Sequence, residues 1–222
     1  MRQRIYLDYN ASAPLRPEAA EYMTSLMGPA RNPSSIHSFG RSSKVILETA
    51  RADLAELAVG DASGFIFTSS GTEANNTALL GFGKVITCSV EHSAILEARP
   101  DAQKIGVGND GEINLSELDS ALRQAKKSGE EILVSVMLVN NETGRIQTIE
   151  KLLEICQLYD VAFHSDMVQA LGKIPIKLNE WSRSGLTMAS FSAHKIGGPP
   201  GVGALWTAPG RQMPHRMKGG GQ

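Results

Sequence analysis

The sequence predicts an α/β fold: a mainly parallel sheet with helices on both faces. Three observations carry that prediction. Short runs rich in β-branched and apolar residues alternate with stretches whose apolar residues recur at helical spacing. The run from Ile132 to Val139 is mostly apolar, as suits a strand covered on both sides. Small polar clusters follow one strand candidate after another, which is where ligands bind in open α/β sheets.

Taken in order, Leu7 to Pro14 reads as extended. Arg16 to Met27 reads as a helix, with Pro17 near its first turn, where a missing N–H costs nothing. A polar loop around Asn32 to Ser35 precedes a long helix that begins at His37 or Ser38 and runs to Ala58. Its residues Val45, Ile46, Ala50, Leu54 and Leu57 share one apolar face. Phe65 to Thr68 is a strand, and Gly71 to Leu80 a helix. Val85 to Cys88 is a strand, followed by a short helix from His92 to Ala98. Leu115 to Lys127 is a helix with Leu115, Leu118 and Leu122 at helical spacing. After the 132–139 strand come a helix from Ile149 to Leu158 and a strand from Val161 to His164 that ends at Asp166. Strands at Thr187–Phe191 and Gly203–Trp206 complete the set. There is no internal repeat and no low-complexity segment. Met213 to Gln222 is glycine-rich and basic, more like a cut loop than a finished terminus, although a natural flexible tail has the same look.

Composition excludes several classes of function. The 222 residues hold 22 Lys and Arg against 23 Asp and Glu, a formal net charge of -1, with no basic stripe to attract nucleic acid. Hydrophobic residues make up 41%, as in an ordinary globular protein. No apolar run approaches the roughly 20 residues that span a bilayer. Met1 to Arg4 leads into Ile5-Tyr6-Leu7-Asp8, too short and too soon charged for a signal peptide, so the cytoplasm is the default location. Cys88 and Cys156 match neither a metal spacing nor a disulfide framework and read as buried structural thiols. No metal is expected.

The chemistry lies in the polar clusters. Thr68 to Glu73 follows a strand and opens a helix. Its backbone N–H groups and positive helix end suit a phosphate, although local sequence alone reads first as an ordinary helix cap by Ser70 or Thr72. His92 follows the next strand; an imidazole there fits against an aromatic ring, or simply caps a helix. Asn140-Asn141-Glu142-Thr143-Gly144 offers two amides for a carboxylate or ring substituent, or forms only a turn. Asp166 closes a buried strand, so its carboxylate needs a partner or a proton. A pyridinium N–H is such a partner, and it keeps the ring protonated as an electron sink; the alternative is a cap on the next turn. Gln169, three residues on, is placed to donate to a phenolic oxygen of the same ring. Lys195 sits among small and polar residues, Phe191 to Pro199. A Schiff-base lysine must lose its proton, which desolvation or a nearby positive charge permits. Ser192 and His194 beside it are phosphate ligands of the right chemistry. Each signal alone is weak. Their order along one chain points to a pyridoxal phosphate site.

That ordered set resembles the cysteine desulfurases of the class V aminotransferase group, the NifS/IscS-like enzymes. The matching stretches are Tyr6 to Ala11, Asn32 to Ser35 with His37 and Gly40, Phe67 to Asn76, Glu91-His92, Val139 to Gly144, His164 to Gln169 and Ser192 to Gly198. The resemblance implies the large domain of a type I pyridoxal phosphate-dependent fold over residues 15–222, with residues 1–14 packing against a smaller domain. It implies that Lys195 bonds the cofactor and that Asp166 faces the pyridine nitrogen and Gln169 the ring oxygen. His92 would stack on the ring and move protons. Gly71, Thr72, Ser192 and His194 would hold the phosphate, and Asn141 would lie near ring and substrate carboxylate. The implied reaction takes L-cysteine to alanine and leaves persulfide sulfur on a loop cysteine. That sulfur goes to an acceptor or scaffold protein of iron–sulfur cluster or thiolation pathways, and the implied assembly is a homodimer.

The family continues beyond Gly219-Gly220-Gly221-Gln222, so the chain is expected to be truncated. The missing part would hold the smaller domain, the cysteine loop, a substrate-binding arginine and a threonine that reaches the phosphate of the partner subunit. Neither Cys88 nor Cys156 matches the nucleophile. Met167 stands where relatives usually have a small residue. Two other readings fit the same residues: a selenocysteine lyase or other class V enzyme, and a non-catalytic relic or interaction module.

Overall fold

The computed structural model describes residues 4–214 and residue 219. The rest of the glycine-rich end, and residues 1–3 of the N-terminal segment, lie outside the described residues. Among the described residues the helices are α1 (Pro17–Leu26), α2 (Ser38–Ala58), α3 (Gly71–Ala78), α4 (Ser93–Leu96), α5 (Leu115–Ala125), α6 (Ile149–Leu158) and α7 (Leu178–Arg183). The strands are β1 (Phe65–Thr68), β2 (Lys84–Cys88), β3 (Gln103–Ile105), β4 (Ile132–Ser135), β5 (Ala162–Asp166), β6 (Leu186–Ser192) and β7 (Gly203–Thr207). They form one sheet in the order β1-β7-β6-β5-β4-β2-β3. Strands β3, β2, β4, β5 and β6 pair in parallel, while β7 runs antiparallel to both β6 and β1. The mainly parallel sheet is therefore present, with one reversed strand.

Successive side chains of the central strands are buried alternately in two cores, as a sheet covered on both faces requires. Ile86, Val134, Phe163, Phe191 and Trp206 face one core, which also takes Leu118 and Leu122 of α5, Leu152 and Leu153 of α6, and Trp181 of α7. Val85, Leu133, Met188 and Leu205 face the other, which takes Ala74 and Ala78 of α3 and Ile95 of α4. Side-chain caps mark the starts of α2, α3, α4 and α5. Ser70 Oγ accepts from Glu73 N at the start of α3, and Asn114 Oδ1 accepts from Glu117 N at the start of α5.

Several elements depart from the sequence expectation. The 132–139 strand is regular only to Ser135. Val136 N and Leu138 N still donate to His164 O and Asp166 O of β5, at 3.1 and 2.9 Å. Met137 N, pointing the other way, finds that β2 has ended and donates to Glu91 Oε1 at 2.5 Å. The apolar face expected of α2 is mostly uncovered: Val45 is 66% and Leu57 51% exposed, as is Phe39 at 63%. The helix instead buries its small residues Gly40, Ser43, Ala55 and Ala58. Strand β3 and helix α7 were not legible as elements, being only three and six residues long.

Candidate active site

The carboxyl ends of β1, β2, β4, β5 and β6 reach one edge of the sheet, on the face covered by α3 and α4. The loops leaving those strands enclose a cavity of about 460 Å³. Gly71, Thr72, His92, Asn141, Asp166, Gln169, Ser192, His194 and Lys195 all line it. One cavity thus gathers side chains spread over more than half of the sequence. Asn75, Asn10, Asp8 and Glu142 line it too, and were not singled out as site residues by the sequence reading.

Asp166 ends β5 and is buried. Its Oδ2 accepts from Asn75 Nδ2 at 2.6 Å, and its Oδ1 from Val168 N at 2.9 Å. Burial raises its pKa above the usual carboxylate value, opposed by these two donors and by the charges of His92 and Lys195. One oxygen of Asp166 thus caps the next turn, and the residue also lines the cavity. Met167 points the other way: its side chain is buried in the core beneath the sheet, and its N–H donates to Ser190 O.

Lys195 follows β6 in a single 3₁₀ turn, Ala193–Lys195. Its Nζ donates to Asn10 O at 2.5 Å and Ala11 O at 2.9 Å. Burial and then the charge of Lys173 lower its pKa, with Asp166 and Asp8 opposing. An amine shifted in that direction is closer to the neutral form that attacks a carbonyl. Ser192 Oγ and His194 Nδ1 lie 2.8 Å apart. Burial and the Lys195 charge lower the His194 pKa. Gly71 sits against them: a Cβ there would come within 2.8 Å of Val168 Cγ2 and 3.3 Å of Ser192 Cβ. The glycine lets the start of α3 close on the turn after β5 and the end of β6.

His92 caps α4, its Nδ1 accepting from Ala94 N at 3.0 Å. In the neutral ring that bond leaves the proton on Nε2. The cap does not remove His92 from the site, since the ring also lines the cavity. Asn141 lines the cavity, and its backbone oxygen accepts from Asn10 Nδ2 at 3.2 Å. The N-terminal segment crosses this mouth, because Asn10 O also accepts from Gln169 Nε2 at 2.9 Å and Ala13 N donates to His194 O at 2.8 Å. Behind the site, Glu91 is buried with one carboxylate oxygen unpartnered. Burial, and then the negative charge of Asp166, hold its pKa well above the usual value. Asn75 had one signal in sequence: it lies four residues after Gly71, on the same helix face. Cys88 and Cys156 are both buried, with burial raising their pKa values to about 11 and about 12.

This fold and site define an α/β domain with an amine and a buried carboxylate facing one cavity at the carboxyl edge of its sheet. Residues 5–222 match the family model described as aminotransferase class-V, and the chain belongs to that family. It is 40% identical over 238 residues to the cysteine desulfurase IscS of Dictyoglomus turgidum, covering 100% of this chain and 58% of that protein. It is 39% identical to the mitochondrial cysteine desulfurase of Eremothecium gossypii, covering 98% of this chain and 47% of the other. The solved NifS-like protein from Rickettsia africae superimposes with a TM-score of 0.90 at 37% identity, covering 99% of this chain and 62% of that one. The chain therefore spans about three fifths or less of the length of these relatives. No helix among the described residues is long and apolar enough to cross a membrane.

Proposed function

We propose that residues 15–222 are the pyridoxal phosphate-binding domain of a cytoplasmic cysteine desulfurase that acts on L-cysteine and passes sulfur to an acceptor protein. The observation that carries this reading is the pairing of a lysine amine of lowered pKa with a buried aspartate across one cavity. The donor set fits the cofactor. Asp166 is a buried acceptor suited to a pyridinium N–H, and a bond to a cation would offset the cost of burying its charge. Gln169 offers an amide to a phenolic oxygen. Thr72, Ser192, His194 and the start of α3 offer donors to a phosphate around the closely packed Gly71. His92 supplies a ring face and an N–H at Nε2.

When bound, pyridoxal phosphate supplies an electron sink for bonds at the substrate's α-carbon. The residues of this chain do the rest. Lys195 acts as the nucleophilic amine and later as a proton carrier. With the cofactor bound, Asp166 would hold the proton on its ring nitrogen, His92 would move protons, and Asn141 would orient the substrate carboxylate.

The sulfur-accepting thiol is assigned elsewhere. Cys88 and Cys156 are buried core thiols, and a thiol so protonated is a poor nucleophile. The 222-residue polypeptide is thus expected to bind the cofactor and to form no persulfide by itself. Residues 1–14 are assigned to packing against a smaller domain, in line with the exposure of Ile5 and Leu7. The uncovered apolar side chains Ile36, Phe39, Val45 and Leu57 support a homodimer.

The test is to supply pyridoxal phosphate and L-cysteine and follow the visible spectrum and sulfide together. A Lys195-dependent band without sulfide is expected. Sulfide release by this polypeptide, lost in Lys195→Ala, would overturn the assignment of the thiol elsewhere. Absence of any Lys195-dependent band would overturn the cofactor assignment.

A further inference from the structure

Lys173 does not line the cavity, yet it holds one of the residues that do. It lies in the turn after β5, where its Nζ donates to Gln169 Oε1 at 2.6 Å. On the other side Gln169 Nε2 donates to Asn10 O at 2.9 Å. An ammonium has donors only and a carbonyl has acceptors only. Turned over, the Gln169 amide would set its NH₂ against the ammonium and its oxygen against the carbonyl. Both neighbours therefore enforce the same orientation, and the ammonium bond is the charge-assisted one of the two.

We propose that Lys173 is a positioning residue: by holding Gln169 Oε1 it keeps the Gln169 amide N–H₂ on the cavity side, ready to donate to the phenolic oxygen of bound pyridoxal phosphate. The inference rests on the cofactor assignment above. One amide hydrogen is used by Asn10 O, and the second remains for the ligand. An amide turned the other way would present oxygen to oxygen and repel the ring substituent.

Lys173 also acts directly through its charge, since it helps to lower the Lys195 pKa together with burial, against Asp166 and Asp8. A double-variant design separates the two effects. A glutamate at 173 accepts a hydrogen bond where lysine donates, so Lys173→Glu should turn the amide over.

The experiment measures pyridoxal phosphate affinity by quenching of protein fluorescence, and the pH midpoint of the visible band. It compares the wild type with Lys173→Arg, Lys173→Met and Lys173→Glu, each also in a Gln169→Ala background. Arginine should preserve both values. Methionine should weaken binding about tenfold, the scale of one charge-assisted hydrogen bond, and glutamate should weaken it further. In the Gln169→Ala background the methionine change should have less than about a twofold effect, because the residue it acts through is gone. A methionine variant indistinguishable from wild type overturns the proposal. So does an equal loss in both backgrounds, which would mean that Lys173 acts by charge alone. A wild-type protein with no Lys195-dependent band would overturn the cofactor assignment instead, and the proposal with it.

Discussion

Asn75 Nδ2 donates to Asp166 Oδ2 across 2.6 Å, tying the first turns of α3 to the end of β5. The bond joins the helix proposed to hold a phosphate to the strand whose carboxylate is proposed to face a ring nitrogen. Asn75 is buried, and its own Oδ1 has no partner. Its amide is therefore committed to the aspartate.

The first prediction follows from that bond. Asn75→Ala should weaken pyridoxal phosphate binding about tenfold, since a buried carboxylate loses one of its two donors. Asn75→Asp should be worse, because it sets one carboxylate against another in a buried place. Fluorescence titration with the cofactor reads both. Equal affinity in Asn75→Ala and wild type would show that Val168 N alone suffices to hold Asp166.

A second prediction concerns Gly71. A methyl group there meets Val168 Cγ2 at 2.8 Å, a distance that real contacts do not tolerate. Gly71→Ala should cost about 1–3 kcal/mol of stability, the usual range for overpacking. The shift of α3 should also weaken phosphate binding. Urea denaturation and cofactor titration of the same variant measure the two effects.

His164 gives a prediction about pH. Its Nδ1 lies 2.9 Å from Ser135 Oγ and its Nε2 2.9 Å from Ser190 Oγ, which pins β5 between β4 and β6. Burial lowers its pKa to about 3. The unfolded chain protonates this ring at the ordinary value near 6.5, while the folded chain does not. The stability it contributes is therefore complete above about pH 6.5 and is lost as pH falls toward 3, at up to about 1.4 kcal/mol per pH unit. Asp166 and Glu91, whose pKa values burial raises, act in the opposite direction as they take up protons. Comparing wild type with His164→Gln isolates the histidine. The variant should lose stability less steeply between pH 6 and 4, and parallel curves would contradict the account.

The two thiols provide a further check. Cys88 and Cys156 should react with a thiol-specific disulfide reagent only as the protein unfolds, and Cys156→Ala should leave cofactor affinity unchanged. Rapid labelling of either in the folded protein would remove the reason for placing the sulfur acceptor elsewhere.

Much of the sheet was legible because parallel strands buried on both faces write themselves as short apolar runs, as Val85–Cys88 and Ile132–Ser135 do. The polar clusters after those runs were legible for the same topological reason. What was hidden depends on contacts far apart in sequence. Nothing local marks Asn75 as the partner of Asp166, 91 residues away. The end of β4 at Ser135 depends on a side chain of another loop, Glu91. The antiparallel direction of β7 is decided by pairing rather than composition. The apolar face of α2 was read correctly as a pattern, but a pattern does not say what covers it.

Every role proposed for the cavity depends on Lys195 being the residue that bonds pyridoxal phosphate. Reducing the cofactor-loaded protein with borohydride and mapping the modified peptide by mass spectrometry tests this most directly. The expected result is a phosphopyridoxyl group on Lys195, and no label at that peptide in Lys195→Ala. A label on Lys173 or another lysine, with Lys195 unmodified, would contradict it.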